Sequence, residues 1–285
     1  MRSVLTAVLI VLVALLTPLS ALAVWADREI GDTDRYVTAM EPLAADRAVQ
    51  NAVADRITAE VMKKIDAGPL QQGVENLVHE AVISFAGTDA YRIAWNTVNR
   101  AAHTAVEQAL TSDDVNTASI DLAPVIEQVK QQLSDEGVPF ADQVPVGNTR
   151  ITILEADKLG AAREIFADLQ FWGVRLPVVT LLLAAAAIVL ARRRLNALAL
   201  LGAALVIGGA LLRLALTIGR GLALDDLPPD VDRPAAEAVF EALTATLRVT
   251  SWWLLGAGAV LALAFGAWSW RARSAVPAGP APHAP

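Results

Sequence analysis

The sequence predicts a mostly α-helical membrane protein with four transmembrane helices. A largely helical extracytoplasmic domain, with a small two-stranded β element, lies between helices 1 and 2. Three observations predict this. Four apolar runs, at 4–25, 171–191, 195–219 and 251–270, contain no acidic residue, and each holds ~20 residues or more, enough at ~1.5 Å per residue to cross a hydrocarbon core of ~30 Å. Arg192, Arg193 and Arg194 separate the second run from the third, as the turn of a membrane hairpin would. All 30 acidic residues fall in the two segments 26–171 and 220–250. A mean hydropathy of +0.46 and 55% hydrophobic residues fit a chain partly embedded in lipid.

These features divide the chain into a first span at 1–25, a domain at 26–171, a second span at 172–191 and a turn at 192–194. A third span at 195–219, a loop at 220–250, a fourth span at 251–270 and a tail at 271–285 complete it. Orientation follows from the basic residues. Arg2, the arginine triplet, Arg271 and Arg273 fall on one side by alternation, in short segments without Asp or Glu. The positive-inside rule makes that side cytosolic. The expected location is the plasma membrane, multi-pass, with both termini cytosolic and residues 26–171 and 220–250 outside.

The 146 residues of 26–171 are enough for a core of their own, and they carry 24 acidic against 12 basic residues. That charge disfavours nucleic acid and anionic lipid surfaces as partners of this domain. The chain has no cysteine, which removes disulfides, thiolate chemistry and cysteine zinc sites.

The opening run has two readings. Ala21, Leu22 and Ala23 fit an A-x-A cleavage site, while an apolar stretch of ~22 residues favours an uncleaved anchor with Trp25 at the interface. From Asp32 the pattern is helical. Asp32 and Asp34 are N-cap candidates before Tyr36, Met40 and Leu43. Asp46 caps a second helix with Val49, Val53, Ile57 and Val61 as its inward stripe, ended by Gly68 and Pro69. A third runs over 70–85 with Val74, Leu77, Val78, Val82 and Phe85 inward, and a fourth over 88–110 with Ile93, Val98, Ala102, Val106 and Leu110 inward. Residues 116–122 and 148–154 alternate polar with apolar, as half-buried strands do, and flank a helix expected over 125–133. Such a ribbon is marginal alone and needs the helices for support. A helix over 155–170 leads into the second span.

In the second outer loop an amphipathic helix starts at Pro234, with Val239, Phe240, Leu243 and Leu247 on one side. Glu237 and Glu241 deny it the basic face of an anionic-lipid binder, so packing on the large domain is expected. Trp252, Trp253, Trp268 and Trp270 bracket the fourth span as aromatic belts do. The Pro- and Ala-rich tail after 274 reads as disordered. Gly202, Gly208, Gly209, Gly256 and Gly258 are read as close-packing positions between spans.

Few residues suggest chemistry. Arg213, in the third span, is a functional candidate because ionisable groups in the bilayer are costly; the alternative is a side chain reaching the outer interface toward Asp225 or Asp226. Glu75 with His79, and His103 with Glu107, are i,i+4 pairs able to offer two metal ligands each. Helical geometry separates the two histidines by ~10 Å, so no shared metal site is expected. Asp113, Asp114, Asp225 and Asp226 read as solvated turn residues. Nucleophile-elbow, phosphate-loop, dinucleotide and metalloprotease motifs are all absent. Four mostly apolar spans are poorly equipped to carry a polar substrate.

The stretch 32–46 with Ala48, Val49 and Gln50, then Ala94 and Trp95, Asn99 to His103, and Ile120 to Pro124, resembles blocks of a group of actinobacterial four-helix integral membrane proteins. That group is described only as membrane proteins, so the resemblance implies topology and no activity. It draws attention to Trp95, Arg100 and His103 on one helix, whose ordinary reading is core and capping.

The expected function is a non-catalytic cell-envelope protein that binds, senses or scaffolds through its outer domain. The alternative is an accessory subunit of a transporter or lipid-handling complex. An enzyme would require a concave pocket gathering carboxylates or the His-Glu pairs with perturbed pKa values. Expected partners are the lipid bilayer and a membrane protein or second copy of the chain, with no cofactor, metal or nucleic acid.

Overall fold

A computed structural model of the chain describes residues 2–65, 67–111, 118–121, 127, 131, 150–154, 156–229 and 231–274. The chain falls into two compact units. One comprises Met1–Trp25, Phe171–Ile218 and Thr246–Pro285; the other comprises Ala26–Gln170 and Gly219–Ala245. Among the described residues, the helical stretches Ser3–Ile30, Phe166–Leu190, Arg194–Asp225 and Ala245–Trp268 are long and apolar enough to cross a membrane.

The first unit is built from α1 (Arg2–Trp25) and parts of three longer helices, which are α6 (Ala156–Leu190), α7 (Arg194–Asp225) and α9 (Ala245–Ser274). Ile10, Val13 and Ala14 of α1 meet Ala187 of α6 and Leu201 and Ala204 of α7 in its core. Glycine lets the backbones approach. A Cβ on Gly202 would stand 2.5 Å from the Ala262 nitrogen, and one on Gly258 would stand 2.7 Å from the Gly202 oxygen. Gly208 meets Thr17, and Gly209 meets Leu254 and Leu255. Gly256 faces open space instead of a neighbour, contrary to its sequence reading, because it lies on the other side of α9 from Gly258. Ser20 and Thr180 share a hydrogen bond of 2.8 Å between α1 and α6.

Three boundaries differ from the sequence reading. Arg194 opens α7, so the turn is 191–193. Residues 220–225, expected in a loop, are the last turns of α7, and 245–250 are the first turns of α9. Hydropathy marks where the side chains change character, whereas backbone hydrogen bonding continues past that point until a residue or turn interrupts it.

The second unit begins with a π-helical turn, Ala26–Ile30, followed by α2 (Thr33–Met40), a 3-10 turn (Glu41–Ala45), α3 (Arg47–Met62), α4 (Gln71–Ala86) and α5 (Asp89–Thr111). Asp32 caps α2 through the Arg35 amide, and Asp46 caps α3 through the Ala48 and Val49 amides, satisfying donors that have no partner within the helix. The helix α3 ends at Met62, ahead of Gly68, whose φ of +51° starts the 3-10 turn into α4. A last short helix, α8 (Arg233–Leu243), is capped by Asp232. Its Ala235, Ala238, Val239, Ala242 and Leu243 pack on Met40, Leu43 and Val49. Ala44, Ala86 and Tyr91 form an adjoining cluster. The Gln50 amide joins two chain segments by donating to the carbonyls of Ala44 and Ala86, at 2.8 and 3.0 Å.

Most residues expected on the inward faces of α3, α4 and α5 are buried or half-buried, with three exceptions. Ile57, Leu77 and Ile93, all expected inside, are 41%, 68% and 38% exposed, while Ala54, Ala86, Ala90 and Ala109 are buried. Ala44 and Ala86 pack together with Tyr91, so small residues mark a contact line here.

The backbones of β1 (Ala118–Asp121) and β2 (Arg150–Leu154) pair antiparallel, with Ile120 opposite Ile151 and Asp121 opposite Arg150. The helix expected over 125–133 lies almost wholly outside the described residues. Asp113, Asp114 and the tail 275–285 lie outside them too.

Candidate functional site

Trp95, Arg100 and His103 project from α5 at successive heights, and each fastens a different part of the α2 region. Trp95 Nε1 donates to the Met40 carbonyl at 2.9 Å. Arg100 Nη1 meets Asp34 Oδ1 at 2.6 Å. His103 is the most connected. Its Nε2 lies 2.8 Å from the Ile30 carbonyl oxygen and its Nδ1 lies 3.0 Å from Thr33 Oγ1. Thr33 Oγ1 also donates to Glu107 Oε2 at 3.1 Å. A hydroxyl has one proton to give. With that proton directed to Glu107, Thr33 Oγ1 faces His103 Nδ1 as an acceptor.

A cavity of about 290 Å³ adjoins this cluster. Ile30, Ala102, Val106, Leu110 and Phe166 supply its apolar wall, and Tyr36, His103 and Glu107 its polar groups. The Tyr36 ring lies over the His103 ring, with centroids 4.5 Å apart. Burial raises the Tyr36 phenol above its ordinary pKa, because the phenolate would lose hydration. An apolar recess with a few polar groups on one side is the common form of a small-molecule site.

The remaining sequence candidates are dispersed. His79 Nε2 pairs with Asp55 Oδ1 on α3 at 3.1 Å, rather than with Glu75 on its own helix. Residue 79 on α4 has α3 packed against it, which brings a carboxylate from across the interface. No cluster of three metal-ligating side chains occurs among the described residues. Arg213 belongs to the other unit. Its Nε donates to Ser251 Oγ at 3.3 Å and its guanidinium lies 4.1 Å from the centroid of the Trp252 ring. The expected partner Asp225 meets Arg233 instead, at 3.3 Å. A second, wider recess of about 860 Å³ lies between α3 and the segment 229–239, where Asp55, Arg56, Asp232 and Arg233 balance in charge.

Sequence reasoning missed Ile30, Thr33, Tyr36 and Phe166. Thr33 and Tyr36 sit one turn apart directly after the capping Asp32, which hinted at a shared face. Ile30 contributes a backbone oxygen, which no sequence pattern marks. Phe166 reaches the cavity from a helix 56 residues beyond Leu110 in sequence.

No family model, curated protein or solved structure matches this chain.

Proposed function

We propose that the chain is a plasma-membrane protein that binds a small, largely apolar ligand or the apolar end of a cell-envelope component, without transforming it. Both termini lie in the cytosol, the second unit stands outside, and its cavity beside His103 is the binding site. The cavity carries this reading. It combines an apolar wall with a polar edge whose groups are spent on holding the fold, since His103 uses both ring nitrogens and Thr33 bridges to Glu107. His103, the side chain most often used as a general base, has no ring nitrogen left to aim at a substrate. The orientation is supported by six arginines in the short segments of one side against 30 acidic residues on the other.

The test uses the three histidines as reporters. Full-length protein with 15N-labelled histidine is screened in nanodiscs against small alcohols, amines and fragments of envelope lipids. Occupation of the cavity shifts the ring resonances of His103 and leaves those of His79 and His283 in place, and Ala102→Trp, which fills the cavity, abolishes the shift. Absence of any compound selective for His103, or a shift that survives Ala102→Trp, would sink the proposal.

A further inference from the structure

Arg213 has a spacing and a set of contacts that the ligand cavity does not explain. Between Arg194 and Arg213, α7 carries 18 uncharged residues, a rise of ~27 Å that nearly matches a hydrocarbon core of ~30 Å. The two arginines therefore mark opposite edges of the core. On the neighbouring helix Trp252 stands beside Arg213, and it and Trp253 are 62% and 74% exposed, as aromatic residues are at the headgroup boundary.

The guanidinium is fixed there. Ser251, wholly buried, donates its hydroxyl proton to the Arg248 carbonyl at 2.7 Å, which leaves a lone pair to accept from Arg213 Nε. The Trp252 ring holds the plane of the group by a cation-π contact. With Nε engaged and one face covered, the paired Nη edge remains to bind an acceptor. That fork suits two oxygens of one phosphate. No acidic residue stands in 171–190, 195–224 or 245–274, and Arg213 makes no ion pair among the described residues.

We propose that Arg213, oriented by Ser251 and Trp252, binds the phosphodiester of an acidic glycerophospholipid at this edge of the bilayer. A zwitterionic headgroup is the poorer ligand, because these spans offer no carboxylate to receive its ammonium. The site requires the helices to lie in a bilayer. It does not depend on which side is cytosolic or on the cavity beside His103.

The experiment is native mass spectrometry of the full-length protein in mild detergent, titrated separately with dioleoylphosphatidylglycerol, dioleoylphosphatidylcholine and inorganic phosphate. The first phosphatidylglycerol is expected to bind about tenfold more weakly to Arg213→Gln, as loss of a charge-assisted contact implies. Arg213→Lys, which keeps the charge and loses the fork, falls between the two. Trp252→Leu weakens binding while Trp252→Phe largely preserves it, and these changes at an exposed position keep the test decisive if Arg213→Gln fails to fold. Equal affinity in wild type, Arg213→Gln and Trp252→Leu would overturn the proposal. So would displacement of the lipid by millimolar phosphate, which marks a site for free phosphate, or equal binding of phosphatidylcholine.

Discussion

Trp95 Nε1 donates to the carbonyl of Met40 at 2.9 Å, joining the second turn of α5 to the last turn of α2. The Met40 carbonyl ends α2 and opens the 3-10 turn 41–45, and Met40 is only 2% exposed, so water is a poor substitute for the indole as its second donor. The indole therefore does two things: it fills space against Met40, Leu43 and Val49, and it satisfies an end-of-helix acceptor. Trp95→Phe removes the second and little of the first, at an expected cost of about 1–2 kcal/mol. Trp95→Ala removes both, at about 3 kcal/mol. Thermal unfolding of the detergent-purified protein should place the two variants in that order; equal midpoints would show that the hydrogen bond is immaterial.

Arg100 and Asp34, about one and a half turns farther along the same interface, make a shorter contact of 2.6 Å that matters less. Their side chains are 52% and 83% exposed. Water and salt screen such a pair, and its contribution is at most ~1 kcal/mol. A double-mutant cycle with Arg100→Gln and Asp34→Asn should give a coupling below that value which declines as salt is added. A larger, salt-independent coupling would contradict the exposed geometry.

The difference between these neighbours also shows what was legible in the sequence. Spacing placed Trp95, Arg100 and His103 on one helix, and the capping residues Asp32 and Asp46 marked helix starts, because both kinds of signal are local. The apolar runs revealed four long helices for the same reason. What each side chain touches depends on residues 55 to 73 positions away: Met40 for Trp95, Asp34 for Arg100, Thr33 and Ile30 for His103. No local pattern encodes those pairings. The inward faces were misjudged at Ile57, Leu77 and Ile93, and the buried Ala54, Ala86, Ala90 and Ala109 gave no signal, since a small side chain signals close approach only once its neighbour is known. Arg213 was assigned a carboxylate partner by charge, whereas the group in reach was a serine with an indole beside it.

The chain's two tyrosines give a pH prediction. Burial raises the phenol pKa of both Tyr36 and Tyr91 in the folded protein. A group with a raised folded-state pKa keeps its proton longer when folded, so stability is unaffected below the unfolded value of about 10 and falls as pH rises above it. Phenolate absorbance of the folded protein should appear at higher pH than that of the denatured chain, for both residues. Coincident titration curves would mean that the phenols are hydrated. The Tyr91 hydroxyl also has no hydrogen-bond partner among the described residues. Tyr91→Phe should therefore stabilise the protein by about 1 kcal/mol, as removal of an unsatisfied buried group does, and lessen the alkaline loss.

Among the helix glycines, position decides the cost of a methyl group. At Gly202 and Gly258 an added Cβ would meet backbone atoms at 2.5–2.8 Å, which no side-chain rotation relieves. At Gly256 it would meet nothing within 4 Å. Gly202→Ala and Gly258→Ala should each destabilise the detergent-solubilised bundle by about 1–3 kcal/mol, and Gly256→Ala should be neutral or slightly favourable. A ranking by distance from the helix centre, with Gly256 as costly as Gly258, would refute the close approach of α7 and α9.

The orientation proposed above has an unusually clean test because the chain contains no cysteine. Ser84→Cys introduces a thiol at an exposed position on α4 of the second unit, and Ser274→Cys introduces one at the end of α9. With the acidic unit outside, a membrane-impermeant maleimide should label Ser84→Cys in intact cells and label Ser274→Cys only after permeabilisation. The physical basis is the asymmetry of charge, since arginines next to the spans resist translocation while acidic residues count for little. Labelling in the opposite sense would invert the topology and place the cavity beside His103 in the cytosol, where envelope components could not reach it. Labelling of both variants in intact cells would put residues 84 and 274 on the same side, which an even number of crossings between them permits and the three expected crossings do not.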